Sequence, residues 1–310
     1  MRFHYQHMIL NDFLPRIVSQ PVLDALKTGG RFDSDRIRFF HWRNDPFMPV
    51  EFSVAAYRLG HSMVRPGYRL NAGDDMLLPI FPEPDHGFPV GLTGFQTMAE
   101  RRAIDWARFI DLEQRPYGGD GQTDANRQRL QFAYRIDTAL VNPLAKLPPS
   151  VASDPPPVLA GRNLLRGWRL GLPSGQAVAR AMQITPLRDE EILIGKAVDH
   201  PDPGEQPRPI TEIANGVFAG NCPLWTYILA EAAYHRTPVA IPALGGPETI
   251  TTPQLGPVGG RIVAEVFLGL MFGDGASMLS LDPQFVPVTG PGFALKDLIA
   301  YSLGKGPALH

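Results

Sequence analysis

A chain of 310 residues with 44% hydrophobic and 19% charged residues is long enough to bury a large core. Its formal net charge of −2 leaves no electrostatic footprint for nucleic acid or for an anionic membrane surface. The single cysteine, Cys222, excludes an internal disulfide framework and a CxxC metal site. It fits a reducing compartment, and MRFHYQHMIL holds no apolar run long enough for a secretory signal, so a cytoplasmic location is expected. The 32 prolines beside 31 glycines predict many short elements joined by stiff, irregular connections.

In chain order, His4 to Val18 carries Tyr5, Met8, Ile9, Phe13 and Leu14 in a helical pattern that should end near Pro15. His4 and His7 stand three apart, a spacing a metal could use. No third ligand is nearby, so they read as helix-surface residues. Residues 20 to 49 read as a helix and turn followed by a basic, aromatic connection with Arg36, Arg38, Phe39, Phe40, Trp42 and Arg43. Such interleaving can bind single-stranded nucleic acid, but one short stretch on a slightly acidic chain reads as a packed connection.

Val50 to Pro66, VEFSVAAYRLGHSMVRP, is the stretch the rest is organised around. It is predicted as a buried helix with Phe52, Ala56, Leu59 and Met63 on one face and Val54, Arg58, His61 and Arg65 on the other. Pro49 and Glu51 suit its first turn and Pro66 its end. An interior helix with Arg58 and His61 on one stripe needs a polar or ionic group to receive them, because an unpaired one costs on the order of a few kcal/mol. Taken alone, His61 reads as a hydrogen-bonded core residue.

Tyr68 to Asn71 and Met76 to Phe81 flank Ala-Gly-Asp-Asp, the best hairpin candidate. Arg101 to Leu112 reads as a short helix, and Gly118 to Gly121 as a surface loop without the acidic spacing of a calcium site. Arg135 to Leu147 leads into an extended proline-rich linker, Pro148 to Pro157. In Gly161 to Met182, GRNLLRGWRLGLPSGQAVARAM, Asn163 reads by itself as a helix N-cap. Residues 198 to 210 form a second Pro-rich loop with His200 solvated. Apolar helices follow at Leu224 to Tyr234 and Gly256 to Phe272. The latter holds Glu265 and falls short of the about 20 residues that span a bilayer. Gly259-Gly260 could suggest a phosphate cradle, but no strand precedes it and neither nucleotide-loop spacing is met, so packing is the better account. Leu295 to Leu303 closes the chain as a short helix.

Two of these strings carry a family likeness. FSVAAYRLGHSMVRP resembles the proximal-histidine segment of the animal-type haem peroxidase family (the peroxidase–cyclooxygenase superfamily), where an aromatic-Arg-x-Gly-His run supplies the iron ligand. NLLRGWRLGLP, from Asn163, resembles the family's Asn-Leu-x-Arg-Gly-x-x-x-Gly-Leu-Pro motif. The segment ending in Leu14-Pro15 is similar to the helix before the proximal one, and the two apolar helices are similar to the family's C-terminal helices in order and spacing.

The resemblance, to a bacterial-like member, implies a mainly α, multi-helix haem-peroxidase-type bundle with Pro/Gly-rich loops and at most a small β-hairpin, as one domain over residues 1–310. It implies haem b, with His61 as proximal iron ligand and Asn163 accepting the second ring proton of His61. A bound imidazole needs that acceptor to fix its tautomer. Arg58 and Arg166 would pair with the haem propionates. Hydrogen peroxide and an electron donor would be the reactants. Trp168 and Arg169 depart from the Arg-Asp pair of the animal enzymes, so no role of that acidic residue carries over.

The family's distal His and Arg, its covalent haem attachments and its calcium site lie upstream of the segment matched by His4 to Pro15. No catalytic residue is therefore assigned in this chain, which reads as the proximal, C-terminal portion, with a missing N-terminal segment as its partner. The fatty-acid oxygenase branch carries a radical-forming Tyr three residues before its histidine. Here that position is Arg58, with Tyr57 one step off, which favours peroxidase over dioxygenase. From a different class, a catalytically inactive haem-binding or helical scaffold fragment remains the alternative.

Overall fold

The computed structural model describes residues 1–73, 76–82, 90–93, 97, 99–113, 130–199, 202, 204–241 and 248–306. Helices α1 (Arg2–Met8) and α2 (Leu14–Ile17) are joined without a break by a π-helical turn, Ile9–Phe13. Pro15 follows the π-helical turn within this continuous run, which ends two residues beyond it at Ile17, near the expected stop. The α3 helix (Gln20–Ala25) leads into a hairpin of β1 (Lys27–Thr28) and β2 (Arg31–Phe32). After an irregular connection, α4 (Gly60–Met63) closes the 50–66 segment, and β3 (Gly67–Tyr68) pairs antiparallel with β4 (Leu78–Pro79) at the expected hairpin. Arg101 to Leu112 is not a helix. It makes two tight 3-10 turns, Glu100–Arg102 and Trp106–Arg108, and the side chain of Asp105 caps the second.

The second half holds α5 (Leu159–Arg169), α6 (Gly175–Ala181), α7 (Leu224–Ala232), α8 (Pro257–Gly273), α9 (Met278–Leu281) and α10 (Leu295–Ser302). Pro223 introduces α7 as the sequence suggests. Two further hairpins pair β5 (Leu193–Ile194) with β6 (Arg208–Pro209), and β7 (Arg236–Ile241) with β8 (Glu248–Pro253). The fold is mainly α with small two-stranded antiparallel sheets. Among the described residues no helix is long and apolar enough to cross a membrane. Gly118 to Gly121 and His200 lie outside the described residues.

The core forms around α8 and α7, whose Val263, Leu268, Ile228 and Leu229 pack with Leu14 and Leu23 from the N-terminal helices. Burying α8 on nearly every side leaves its N-terminal amides without water. The carboxylate of Glu231 on α7 supplies the acceptors, taking the Val258 and Gly259 N–H groups at 3.1–3.2 Å. The glycines there serve packing: a Cβ on Gly259 would stand 2.9 Å from Ile228, and one on Gly260 2.9 Å from Val18. A phosphate has no room at amides already taken.

Nearly two turns further along α8, the Glu265 carboxylate accepts from the backbone N–H groups of Arg38, Phe39 and Phe40 at 3.1, 2.7 and 3.2 Å and from Arg261 at 2.7 Å. This anchors the basic, aromatic connection and presses Phe40 into the core, while His41 to Met48 stay exposed. His4 and His7 are buried, not on the helix surface. His4 packs edge-on against Phe285 and Phe293, and His7 Nε2 meets the Pro291 carbonyl at 3.0 Å, because the C-terminal segment folds back over α1.

Glu265→Ala removes the acceptor for the Arg38, Phe39 and Phe40 amides, the last of them buried, and is expected to cost about 3 kcal/mol, read as a lowered urea midpoint. Burial pushes the Glu231 carboxyl up to about 7 against the pull of the two amides. The folded chain thus holds this proton more tightly than the unfolded one. Its contribution is full below the ordinary carboxylate range and is lost as pH rises through about 7. The parent should lose thermal stability between pH 5 and pH 8 relative to Glu231→Gln, which has no proton to release there.

Candidate functional site

The 50–66 segment is not one buried helix. Glu51–Ala55 winds as a π-helical turn, Ala55 leaves the helical region at φ −122°, ψ −74°, and Ala56–Leu59 tightens into a 3-10 turn before α4. The expected apolar face still meets the core, with Phe52, Ala56 and Leu59 buried and Met63 packed against it, but the break buries Val54 and Ala55 as well, whereas Ser53, Tyr57 and Gly60 are exposed. Tyr57 lies flat on Phe52 with ring centroids 4.7 Å apart and meets the edge of Phe267 at 5.5 Å, so its ring belongs to the α8 side. Arg58 and His61 turn instead toward α5.

Asn163 is what receives them. It is the fifth residue of α5, whose N-cap is Val158, so it does not cap the helix as its position before LLRG suggested. At 1% exposure its carboxamide must find partners inside the protein. The Asn163 Nδ2 group lies 2.8 Å from His61 Nδ1, and a guanidinium N–H of Arg58 donates to Asn163 Oδ1 in a short bond. Arg58 also donates from Nε to the Ser53 carbonyl at 3.3 Å, and the Trp225 indole N–H donates to the Arg58 carbonyl at 3.4 Å. Trp225 has no visible signal for this role in the sequence. Its contribution comes from α7 packing beside the 3-10 turn.

Arg166, one turn beyond Asn163 on α5, is exposed and close enough to Arg58 to act on it. Burial first and Arg166 second lower the Arg58 guanidinium from its ordinary value, though a guanidinium stays charged. Among the described residues neither arginine has a carboxylate within ion-pair distance. Burial and the neighbouring Arg58 push the His61 imidazole below the ordinary histidine value, which keeps it neutral at neutral pH. Arg65, expected on the same stripe, points elsewhere. It donates to the Phe132 carbonyl at 3.0 Å and stacks over Tyr134.

Ser62, next to the histidine, is buried and donates to the Leu59 carbonyl at 2.9 Å. It also lines, with Arg65, Tyr134 and Asp137, a cavity of about 630 Å³. A second, apolar cavity of about 380 Å³ is lined by Asn163, Leu164, Trp168, Leu172, Phe218 and Trp225. His61 lines neither, and its Nε2 has no hydrogen-bond partner among the described residues.

The residues fit a histidine-ligated haem in kind: a neutral imidazole, a buried carboxamide behind it and two arginines with no carboxylate partner among the described residues. They do not fit it in the placement of protons. Arg58 has only donors to offer, so it must face the amide oxygen, which leaves the Asn163 N–H donating to Nδ1. The carboxamide was expected to accept the Nδ1 proton and here does the opposite. Among the described residues no group of three or more His, Cys, Asp or Glu is gathered as a metal site. No protein-family model matches the chain, and no curated protein matches it in sequence.

Asn163→Leu leaves the Arg58 donor and the His61 ring without their buried partner. It should lower stability by about 1–3 kcal/mol in urea unfolding, more than Trp168→Ala at the exposed position on the same helix.

Proposed function

We propose that this chain is a haem-dependent peroxidase component in which His61 is the proximal iron ligand. The observation that carries the reading is the pairing of His61 with Asn163 at 2.8 Å, between residues 102 positions apart. The two halves of the family likeness meet at one point on a buried carboxamide, which supports treating them as parts of one site. Haem b, when bound, supplies the iron at which hydrogen peroxide is reduced to water at the expense of an electron donor.

In this reading the protein's own residues bind and orient. Arg58 and Arg166 offer their charge to the two carboxylates of the porphyrin edge. Asn163 holds the imidazole ring in place from behind. The core of α7 and α8 keeps α5 and the 3-10 turn in register. No residue of this chain is assigned the proton transfer between the peroxide oxygens. The fatty-acid oxygenase branch carries its radical-forming Tyr three residues before the histidine, where this chain has Arg58; Tyr57, one step off, lies flat on Phe52 and edge-on to Phe267, which favours peroxidase over dioxygenase chemistry.

Titration of the purified chain with ferric haem tests this. A stoichiometric Soret shift is expected in the parent, and its loss in His61→Ala. Equal spectra for the two chains would overturn the assignment. Full His61-dependent occupancy with no turnover of guaiacol or ABTS would place the chain in the inactive haem-binding class instead.

A further inference from the structure

A carboxamide has a single oxygen, and Arg58 holds it. The Asn163 NH₂ group therefore faces His61 Nδ1, which receives that N–H with its lone pair. A neutral imidazole accepting at Nδ1 carries its proton on Nε2. A ring in that state has no lone pair to give a metal at Nε2, the nitrogen that has no hydrogen-bond partner among the described residues. Ligation through Nε2 requires the other tautomer, with Nδ1–H donating to an acceptor. The only acceptor atom of Asn163 is spent on Arg58.

Arg58 is held from two further sides. Its Nε is tied to the Ser53 carbonyl and its own carbonyl to the Trp225 indole. Yet it shares its surroundings with a second cation, Arg166, and among the described residues no carboxylate neutralises either. Two half-compensated cations beside a buried amide form a seat for an anionic group on the ligand.

We infer that Arg58 is a positioning residue that locks His61 in its non-ligating tautomer, and that a ligand carboxylate docking on Arg58 and Arg166 releases the lock. The carboxylate takes over the guanidinium, the Asn163 amide turns about its last side-chain bond, and Oδ1 accepts from Nδ1–H. One proton leaves Nε2 for water and one reaches Nδ1 from water, so the ring stays neutral. The metal-binding lone pair becomes available only when the anionic edge of the ligand is seated. A bare metal ion, which brings no carboxylate, meets a protonated Nε2. The inference rests on His61 being a ligand but makes a separate claim about the resting chain.

Proton-coupled ¹⁵N spectra of the labelled chain, with no ligand added, read the His61 tautomer directly. The parent should show Nε2–H. Arg58→Met should raise the Nδ1–H population severalfold. Asn163→Asp, whose carboxylate can accept from Arg58 and Nδ1–H together, should show Nδ1–H outright and serves if Arg58→Met fails to fold. An Nδ1–H parent, or variants with the parent's tautomer, would overturn the lock. Ferric protoporphyrin and its dimethyl ester separate the lock from simple charge anchoring. Arg58→Met should bind the free acid more weakly and the ester more tightly, each by about tenfold, the scale of one hydrogen bond gained or lost. An ester affinity unchanged by Arg58→Met would also overturn it. If His61→Ala leaves both porphyrins' binding intact, the haem reading fails while the tautomer measurement still decides the lock.

Discussion

The site turns on the valence of one side chain. Asn163 is buried to 1% exposure and presents one acceptor and one donor group to two neighbours that compete for the same end of it. Arg58 can only donate, so it wins the oxygen, and the histidine takes what is left. Everything said of His61 as a ligand depends on that contest. The family likeness specifies which residues meet. The hydrogen-bond polarity between them is decided by the presence of a third group, Arg58, within reach of the same amide.

That meeting depends in turn on α8. A helix buried along its length cannot leave polar groups to water, and this one is served by carboxylates from within the core. Glu231 closes its N-terminus from α7, and Glu265 reaches out from its middle to hold the 38–40 backbone. With α7 fixed against α8, Trp225 stands beside the 3-10 turn, and α5 packs on α7 and on the 51–55 π turn with Asn163 buried. The histidine is thus positioned by a chain of buried polar bonds, more than by the helix it was expected to ride on.

Much of the helical content was legible because it follows from one-dimensional pattern. The apolar runs of α7 and α8, with Pro223 and Pro257 at their starts, could hardly form anything else, and Leu295 to Ser302 was equally plain. The pairing of Tyr68 with Leu78 was legible from the two runs around Ala72-Gly73, though the strands are only Gly67–Tyr68 and Leu78–Pro79. Through Val50 to Pro66 spacing found the buried Phe52, Ala56 and Leu59 but not the break, where a π turn and a kink at Ala55 shift the register, so that Val54 is buried and Arg65 leaves the stripe of Arg58 and His61. The β7–β8 hairpin went unread because Pro238 inside β7 and Pro253 at the end of β8 read as strand breakers, although half-buried Thr237 and Val239 alternate with exposed Arg236, Pro238 and Ala240. His4 and His7 look like surface residues until the C-terminal segment, more than 280 positions away, covers them.

For the candidate site, the sequence by itself determined the cast: an imidazole at 61, an arginine at 58, a carboxamide at 163 and a second arginine at 166, each in a recognisable local string. It could do so because residue type and short spacing are local properties. Only the tertiary structure decided that Arg58 and His61 share one amide, that Arg65 turns away to Phe132, and that Glu231 fills the helix end beside Gly259. Hydrogen-bond partners across 100 or more residues are set by packing, and a donor finds its acceptor only after the core has brought the two together.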